Sequence, residues 1–245
     1  MIRLNNISID YGGEYLFRGI SLLIKKNDRI GLIGNNGSGK TTLLKILANK
    51  QEVSSGNIQK DNNLKISYLP QDLSLNSNMT IKDYAMGSGE KIKILEEELD
   101  RLNNQIKCTK EEKEQLIIFE QIDNVYQQID KINVLKREII SEKIMKGLGF
   151  LDTDFTSQVN TLSGGWKMRA ELSRILIEEP DIILLDEPTN HLDLPAILWL
   201  EKFLKTTKCS IILVSHDIDF LDKNVNRILN ISNKTIKDFK GNYSK

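Results

Sequence analysis

Gly34-Asn35-Asn36-Gly37-Ser38-Gly39-Lys40-Thr41-Thr42 stands between the apolar run Ile30-Gly31-Leu32-Ile33 and the helix-like Leu43-Leu44-Lys45-Ile46-Leu47. A strand, a glycine-rich turn and a helix start in that order form the Gly-x-x-x-x-Gly-Lys-Thr pattern of a phosphate loop. Its backbone N–H groups and helix N-terminus cradle phosphate. The glycines let the chain turn tightly and let backbone donors approach the anion. In such a loop Lys40 reaches the β- and γ-phosphates and the Thr41 hydroxyl holds Mg²⁺. A glycine-rich turn that binds nothing would leave the flanking strand and helix unexplained.

The 245 residues suffice for a large core, as one α/β domain with an insertion or as two small domains. Thirty-four basic residues balance thirty-four acidic ones, so no global electrostatic footprint for nucleic acid exists and only a local patch remains possible. Cys108 and Cys209 are far apart, match no metal spacing and read as ordinary thiols of a reducing compartment. Met1 to Asn6 lacks the apolar segment of a signal peptide, and no run approaches the roughly 18 apolar residues of a membrane span. The expectation is a soluble, cytoplasmic protein.

Before the phosphate loop, Ile2-Arg3-Leu4 and Ile7-Ser8-Ile9 alternate as half-buried strands do, and Gly12-Gly13 turns the chain toward Gly19 to Ile24. This predicts a small antiparallel sheet laid against an α/β core. Tyr11 precedes the turn; its ring suits stacking on adenine, or plain packing at a strand end. After the loop's helix, Ser54-Ser55-Gly56-Asn57 reads as a turn, and Leu64 to Leu69 as a strand ended by Pro70, which exposes Gln71.

From about 90 to 140 the pattern changes. Ile92, Leu95, Leu99, Leu102 and Ile106 recur at threes and fours, as do Ile118, Ile122, Val125, Ile129 and Ile132. Thr109-Lys110-Glu111-Glu112 has the form of a capping box opening the second run. An antiparallel helical hairpin is predicted, tip near Cys108, each arm roughly 30 Å long. Its surface is slightly acidic, which argues against gripping RNA phosphates by charge alone. The hairpin is either an arm that meets a partner or a solvated coil burying only its own seam.

Leu162-Ser163-Gly164-Gly165-Trp166 opens a helix running to about Ile177, with Ser163 a good N-cap and glycines exposing donors to an anion. Asp181 to Pro188 is a buried parallel strand ending in two carboxylates at the edge where open α/β sheets bind ligands. Asp186 can reach Mg²⁺ through water, and Glu187 can take a proton from an attacking water. Ser210 to Val214 is a second such strand, ending in Ser215-His216-Asp217. The chain holds only two histidines, His191 and His216, and the second is placed to contact a γ-phosphate or its attacking water.

The order of phosphate loop, Gln71, Leu162-Ser163-Gly164-Gly165, Leu185-Asp186-Glu187-Pro188-Thr189 and Ser215-His216-Asp217 resembles the nucleotide-binding domain of ATP-binding cassette (ABC) proteins over nearly the whole chain. The resemblance implies a P-loop NTPase (RecA-like) α/β core, with an antiparallel β subdomain within 1–71, a helical subdomain over 72–178 carrying the arm, and the rest of the core over 179–245. It implies ATP and Mg²⁺ as ligands, bound by Tyr11 on the adenine and Gly34, Asn35, Asn36, Gly37, Ser38, Gly39, Lys40, Thr41 and Thr42 on the phosphates. Thr41, Gln71 and Asp186 would hold the metal; Glu187 would be the catalytic base, assisted by His216 and Gln71. Leu162, Ser163, Gly164 and Gly165 would form the signature motif that completes a partner domain's site, beside a D-loop at Asp193. Two such domains close head to tail, so one alone should be a weak ATPase.

Asn190-His191-Leu192-Asp193, in place of the Ser-Ala-Leu-Asp usual in transporters, resembles the F subfamily of soluble tandem ATPases. The roughly 90 residues between Gln71 and Leu162 leave room for that subfamily's arm. Gly241-Asn242-Tyr243-Ser244 resembles its linker, so a second ABC domain is expected to follow. Trp166 replaces the glutamine usual in transporters after Ser-Gly-Gly. F-subfamily members bind the ribosome near tRNA and rRNA, in translation regulation or antibiotic protection. The alternative is the ATPase subunit of a membrane transporter.

Overall fold

The computed structural model describes residues 1–87, 89–109, 112–131 and 134–244. Two sheets share one core. Strands β1 (Ile2–Tyr11) and β2 (Glu14–Ile24) form an antiparallel pair, with the two glycines at the turn between them. A third strand lies on the other edge of β1, at Ser55–Lys60, with Asn5 opposite Asn57 and Ile2 opposite Lys60. The turn expected at Ser54 to Asn57 is therefore largely strand. Gly56 explains the misreading: at φ +97° a Cβ there would lie 2.6 Å from the Ile7 Cα, so the strand can run beside β1 only with glycine at that point.

The second sheet is parallel at its centre. It is built from β3 (Arg29–Gly34), β5 (Ile66–Leu69), β6 (Ile182–Asp186), β7 (Ser210–Val214), β8 (Arg227–Ser232) and β9 (Thr235–Lys240), the Ser55–Lys60 strand being β4. Its order is β5-β6-β7-β3-β8-β9, with only the β8–β9 edge pair antiparallel. Continuous apolar runs such as Ile182-Ile183-Leu184-Leu185 are buried on both faces, as the central strands of a covered parallel sheet must be. Ile183, Leu185, Ile211, Leu213 and Ile228 face one cluster, and Ile182, Leu184, Ile212, Val214 and Leu229 the other. The period of two thus splits each strand between two packed layers.

One layer holds α1 (Lys40–Leu47) and the antiparallel sheet. On the opposite face lie α2 (Ile81–Met86) and four further helices described below, while the two arm helices bury a seam of their own. The arm helices α3 (Gly89–Cys108) and α4 (Glu112–Lys131) span 20 residues each, roughly 30 Å. Their seam is the expected one: Leu99, Leu102, Ile118 and Val125 are buried, flanked by Leu95, Ile106, Ile122 and Ile129. Lys110, Glu111 and Ile132, and the side chains of Ile92 and Glu112, lie outside the described residues. Helix α5 (Val134–Gly147) then returns the chain to the core through Ile140 and Ile144 and packs on α6 (Gly164–Ile177). Helices α7 (Leu194–Thr206) and α8 (Ile218–Asn224) follow β6 and β7 as crossovers. Among the described residues no helix is long and apolar enough to cross a membrane.

Candidate functional site

The carboxyl ends of β3, β6 and β7 meet at one point, because these strands are parallel neighbours. Beyond β3 the chain turns through Gly37 and Gly39, both at positive φ, and enters α1. Gly39 sits at φ +101°, and a Cβ on it would lie 2.5 Å from the Phe17 ring. Phe17 is fully buried on β2, so the antiparallel sheet forms the back wall of the loop and leaves room only for glycine. The Lys40 ammonium donates to the Gly34 and Asn35 carbonyls, at 2.8 and 3.2 Å, which holds it over the loop's mouth. The Thr41 hydroxyl donates to Asp186 Oδ2 at 2.7 Å, tying α1 to the end of β6. Burial pushes the Asp186 carboxyl above its ordinary range, and the Thr41 hydrogen bond and Lys40 charge only partly offset this.

Glu187, one residue beyond β6, is 4% exposed at its side chain. It has φ +53°, which a residue with a Cβ seldom adopts. Its N–H donates to the Val214 carbonyl at 3.0 Å, and its Oε2 accepts from the His216 N–H at 3.1 Å. Neighbouring strands thus hold the turn in place. Oε1 is buried with no hydrogen-bond partner, 3.5 Å from His216 Nε2. Asp217 caps α8 by accepting from the Phe220 N–H, which fixes the corner carrying His216.

These groups line a cavity of about 370 Å³ formed by Asn36, Gly37, Gly39, Lys40, Thr41, Thr42, Gln71, Asp186, Glu187, Val214, His216 and Leu16. Gly34 and Asn35 line a second space of the same size, with Lys40, His216 and Tyr243. The Ser38 hydroxyl is buried without a partner. Leu16 carries no chemical signal in the sequence. Behind Asp186 lies Tyr68, whose phenol burial, and then the Asp186 charge, push above its ordinary range.

Other expected residues lie elsewhere. Tyr11 ends β1, 56% exposed, outside this lining. Leu162 packs on the core, while Ser163 and Gly164 are exposed. Ser163 occupies the N-cap position of α6 in extended conformation, yet its side chain makes no capping hydrogen bond, contrary to the expectation. Gly165 faces His191, whose Cβ would be 3.6 Å from a Cβ on the glycine. Asp193 is the N-cap of α7, its Oδ1 accepting from the Ala196 N–H at 3.2 Å.

A hard, oxygen-ligated cation fits this cavity. Thr41 and Asp186 already bring a hydroxyl and a carboxylate oxygen together, and Gln71, whose amide could supply a further oxygen, lines the same cavity. No cluster of three metal-ligating His, Cys, Asp or Glu side chains occurs among the described residues. Mg²⁺, which keeps water and takes phosphate oxygens, is the ion that suits so sparse a protein set.

The sequence profile described as ABC transporter matches residues 17–190. The chain is 32% identical over 245 residues to ABC transporter F family member 5 of Arabidopsis thaliana, covering 99% of this chain and 35% of that protein. It is 35% identical over 244 residues to the putative ATP-binding protein YdiF of Bacillus subtilis (strain 168), covering 100% and 38%. The chain therefore spans about a third of the length of these curated relatives. Among solved structures, the ATP binding subunit of an ABC transporter superposes with TM-score 0.73 at 17% identity, over 100% of this chain and 90% of that one. A dimeric ATP-binding cassette in a post-hydrolysis state, bound to ADP and Pi, gives 0.64 at 22%, over 98% of each. At those identities the likeness is one of fold.

Proposed function

This chain belongs to the ABC transporter family as an ABC ATPase domain of the F-family kind, and from that premise we propose that the cavity at the ends of β3, β6 and β7 is its ATP site. Gly34 to Thr42 would wrap the phosphates with backbone N–H groups and the N-terminus of α1. Lys40 would exchange its loop carbonyls for phosphate oxygens. Thr41, Gln71 and Asp186 would hold Mg²⁺, which when bound neutralises charge on the β- and γ-phosphates. Tyr11, free at the end of β1, would stack on adenine.

Glu187 would accept the proton of the water that attacks the γ-phosphate. Glu187 lines the cavity and its Oε1 is buried without a hydrogen-bond partner, only His216 Nε2 standing near it at 3.5 Å, so an acceptor is held ready. His216, beside it, would contact the γ-phosphate. The single observation that carries this reading is the convergence of Lys40, Thr41, Gln71, Asp186, Glu187 and His216 on one cavity from four separate stretches of sequence.

Leu162 to Gly165 and Asp193 stand outside that lining, which suits a role toward a second ABC domain whose own phosphate loop they would complete. The longer relatives support a second domain in the native chain. ATP would close the pair, and hydrolysis would reopen it. We divide the chain as 1–71, 72–178 and 179–245, and assign the α3–α4 arm to ribosome contact, near tRNA and rRNA, in the cytoplasm.

Co-sedimentation of the full-length protein with ribosomes tests the partner. Binding should require ATP, and deletion of residues 91–137 should abolish it while sparing ATP binding. Co-sedimentation that survives the deletion would remove the arm from the interface. Hydrolysis of ATP with no ribosome binding, and recovery with a membrane protein instead, would favour the transporter-subunit reading.

A further inference from the structure

Trp166 and Arg169 have no part in the lining of that cavity, yet they organise the surface at the start of α6. Arg169 is 8% exposed on α6, an uncommon place for a guanidinium. Its Nη1 donates to the Leu148 carbonyl at 3.0 Å and its Nε to the His191 carbonyl at 3.1 Å. Its Nη2 lies 3.6 Å from Asp193 Oδ2. The same guanidinium stacks on the Trp166 ring, 4.6 Å from its centroid, and that ring rests on Phe150 at 5.0 Å. Gly149, at φ +95°, makes the space: a Cβ there would sit 2.6 Å from Arg169 Nη1.

We infer that Trp166 and Arg169 form a positioning clamp which fixes residues 190–193 against the exposed start of α6, so that both surfaces reach a second ABC domain as one rigid unit. The inference rests on the head-to-tail reading given above. One planar fork spends three nitrogens on two loops and its face on an indole, which neither lysine nor a neutral residue can reproduce. Asp193 joins the two ends: Oδ1 caps α7 while Oδ2 faces the clamp. The Gly165–His191 contact lies in the same seam. Trp166, the departure from the glutamine usual in transporters, thereby gains a role as the platform that holds the guanidinium flat.

The test compares full-length wild type with Arg169→Lys, Arg169→Met and the milder Trp166→Gln. Phosphate release at saturating ATP, ATP affinity and melting temperature are measured for each, with Lys40→Ala as the blank. The clamp predicts that both Arg169 variants lose about tenfold in kcat, Trp166→Gln less, with ATP affinity within twofold of wild type. Lysine should not rescue methionine. A kcat within twofold of wild type in Arg169→Met refutes the clamp, and so does a kcat loss matched by loss of ATP affinity and folded fraction in all three variants. If wild type releases no more phosphate than Lys40→Ala, the ATPase reading itself has failed.

Discussion

Glu187→Gln should stabilise the domain while slowing its turnover, and both effects come from one side chain. Oε1 of Glu187 is buried and unpaired, a state that costs about 1 to 3 kcal/mol. The substitution removes the buried charge and places an amide N–H beside His216, while the remaining oxygen keeps the bond from the His216 N–H. Strain at φ +53° is common to both residues and cancels. The net gain is about 1 kcal/mol, or a rise of roughly 2 to 4 °C in Tm for a chain of this size. Circular-dichroism melts of both forms without nucleotide read it directly. Turnover by the full-length variant at saturating ATP should fall at least about tenfold, about 1.4 kcal/mol of barrier, with ATP binding retained. A lower Tm would mean that the carboxylate is well satisfied where it stands, and unchanged turnover would sink Glu187 as the base.

Lys40→Ala should weaken ATP binding at least about tenfold by equilibrium titration, since it removes the ammonium that bonds to the Gly34 carbonyl at the loop mouth; normal affinity would contradict the phosphate-loop reading. Gly39→Ala combines a left-handed φ with a Cβ 2.5 Å from Phe17, so a loss of about 2 to 4 kcal/mol is expected in urea unfolding, together with lost ATP affinity. Glu171 tests the helical layer. Burial alone would raise its carboxyl, but the Arg174 hydrogen bond and charge, with a hydrogen bond from Tyr84, hold it below 4.5. A depressed carboxylate stabilises fully above that value and loses its contribution as pH falls through the folded one. Glu171→Gln should therefore lower stability at pH 7 and flatten its decline below about pH 4.5; an unchanged acid limb would refute this.

Motif spacing and hydrophobic period carried most of this architecture. The run ahead of Gly34, the buried strands ending at Asp186 and Val214, and the threes and fours of the arm each report a local burial pattern, and each became the element they implied. Where a residue answers to a distant neighbour, sequence reasoning lost its hold. Gly56 looks like a turn because β1 passes too close for any side chain. Ser163 looks like a cap, but its side chain accepts no bond from α6. Arg169 gives only a faint signal, an arginine three residues after a tryptophan on a helix, since its acceptors are carbonyls at Leu148 and His191. Tyr11 and Leu162 to Gly165 could be picked out as motifs, while the contact of Gly165 with His191 became visible only in three dimensions.

The proposed function turns on nucleotide-driven closure of this domain onto a second one. A spin label at Thr161, beside the exposed start of α6, and another on the second domain's phosphate loop would report the distance in a full-length Glu187→Gln protein whose Cys108 and Cys209 have been replaced. Closure predicts a short, narrow distance distribution with Mg²⁺ and ATP, and a long one with ADP or without nucleotide. The same distribution in all three conditions would contradict it.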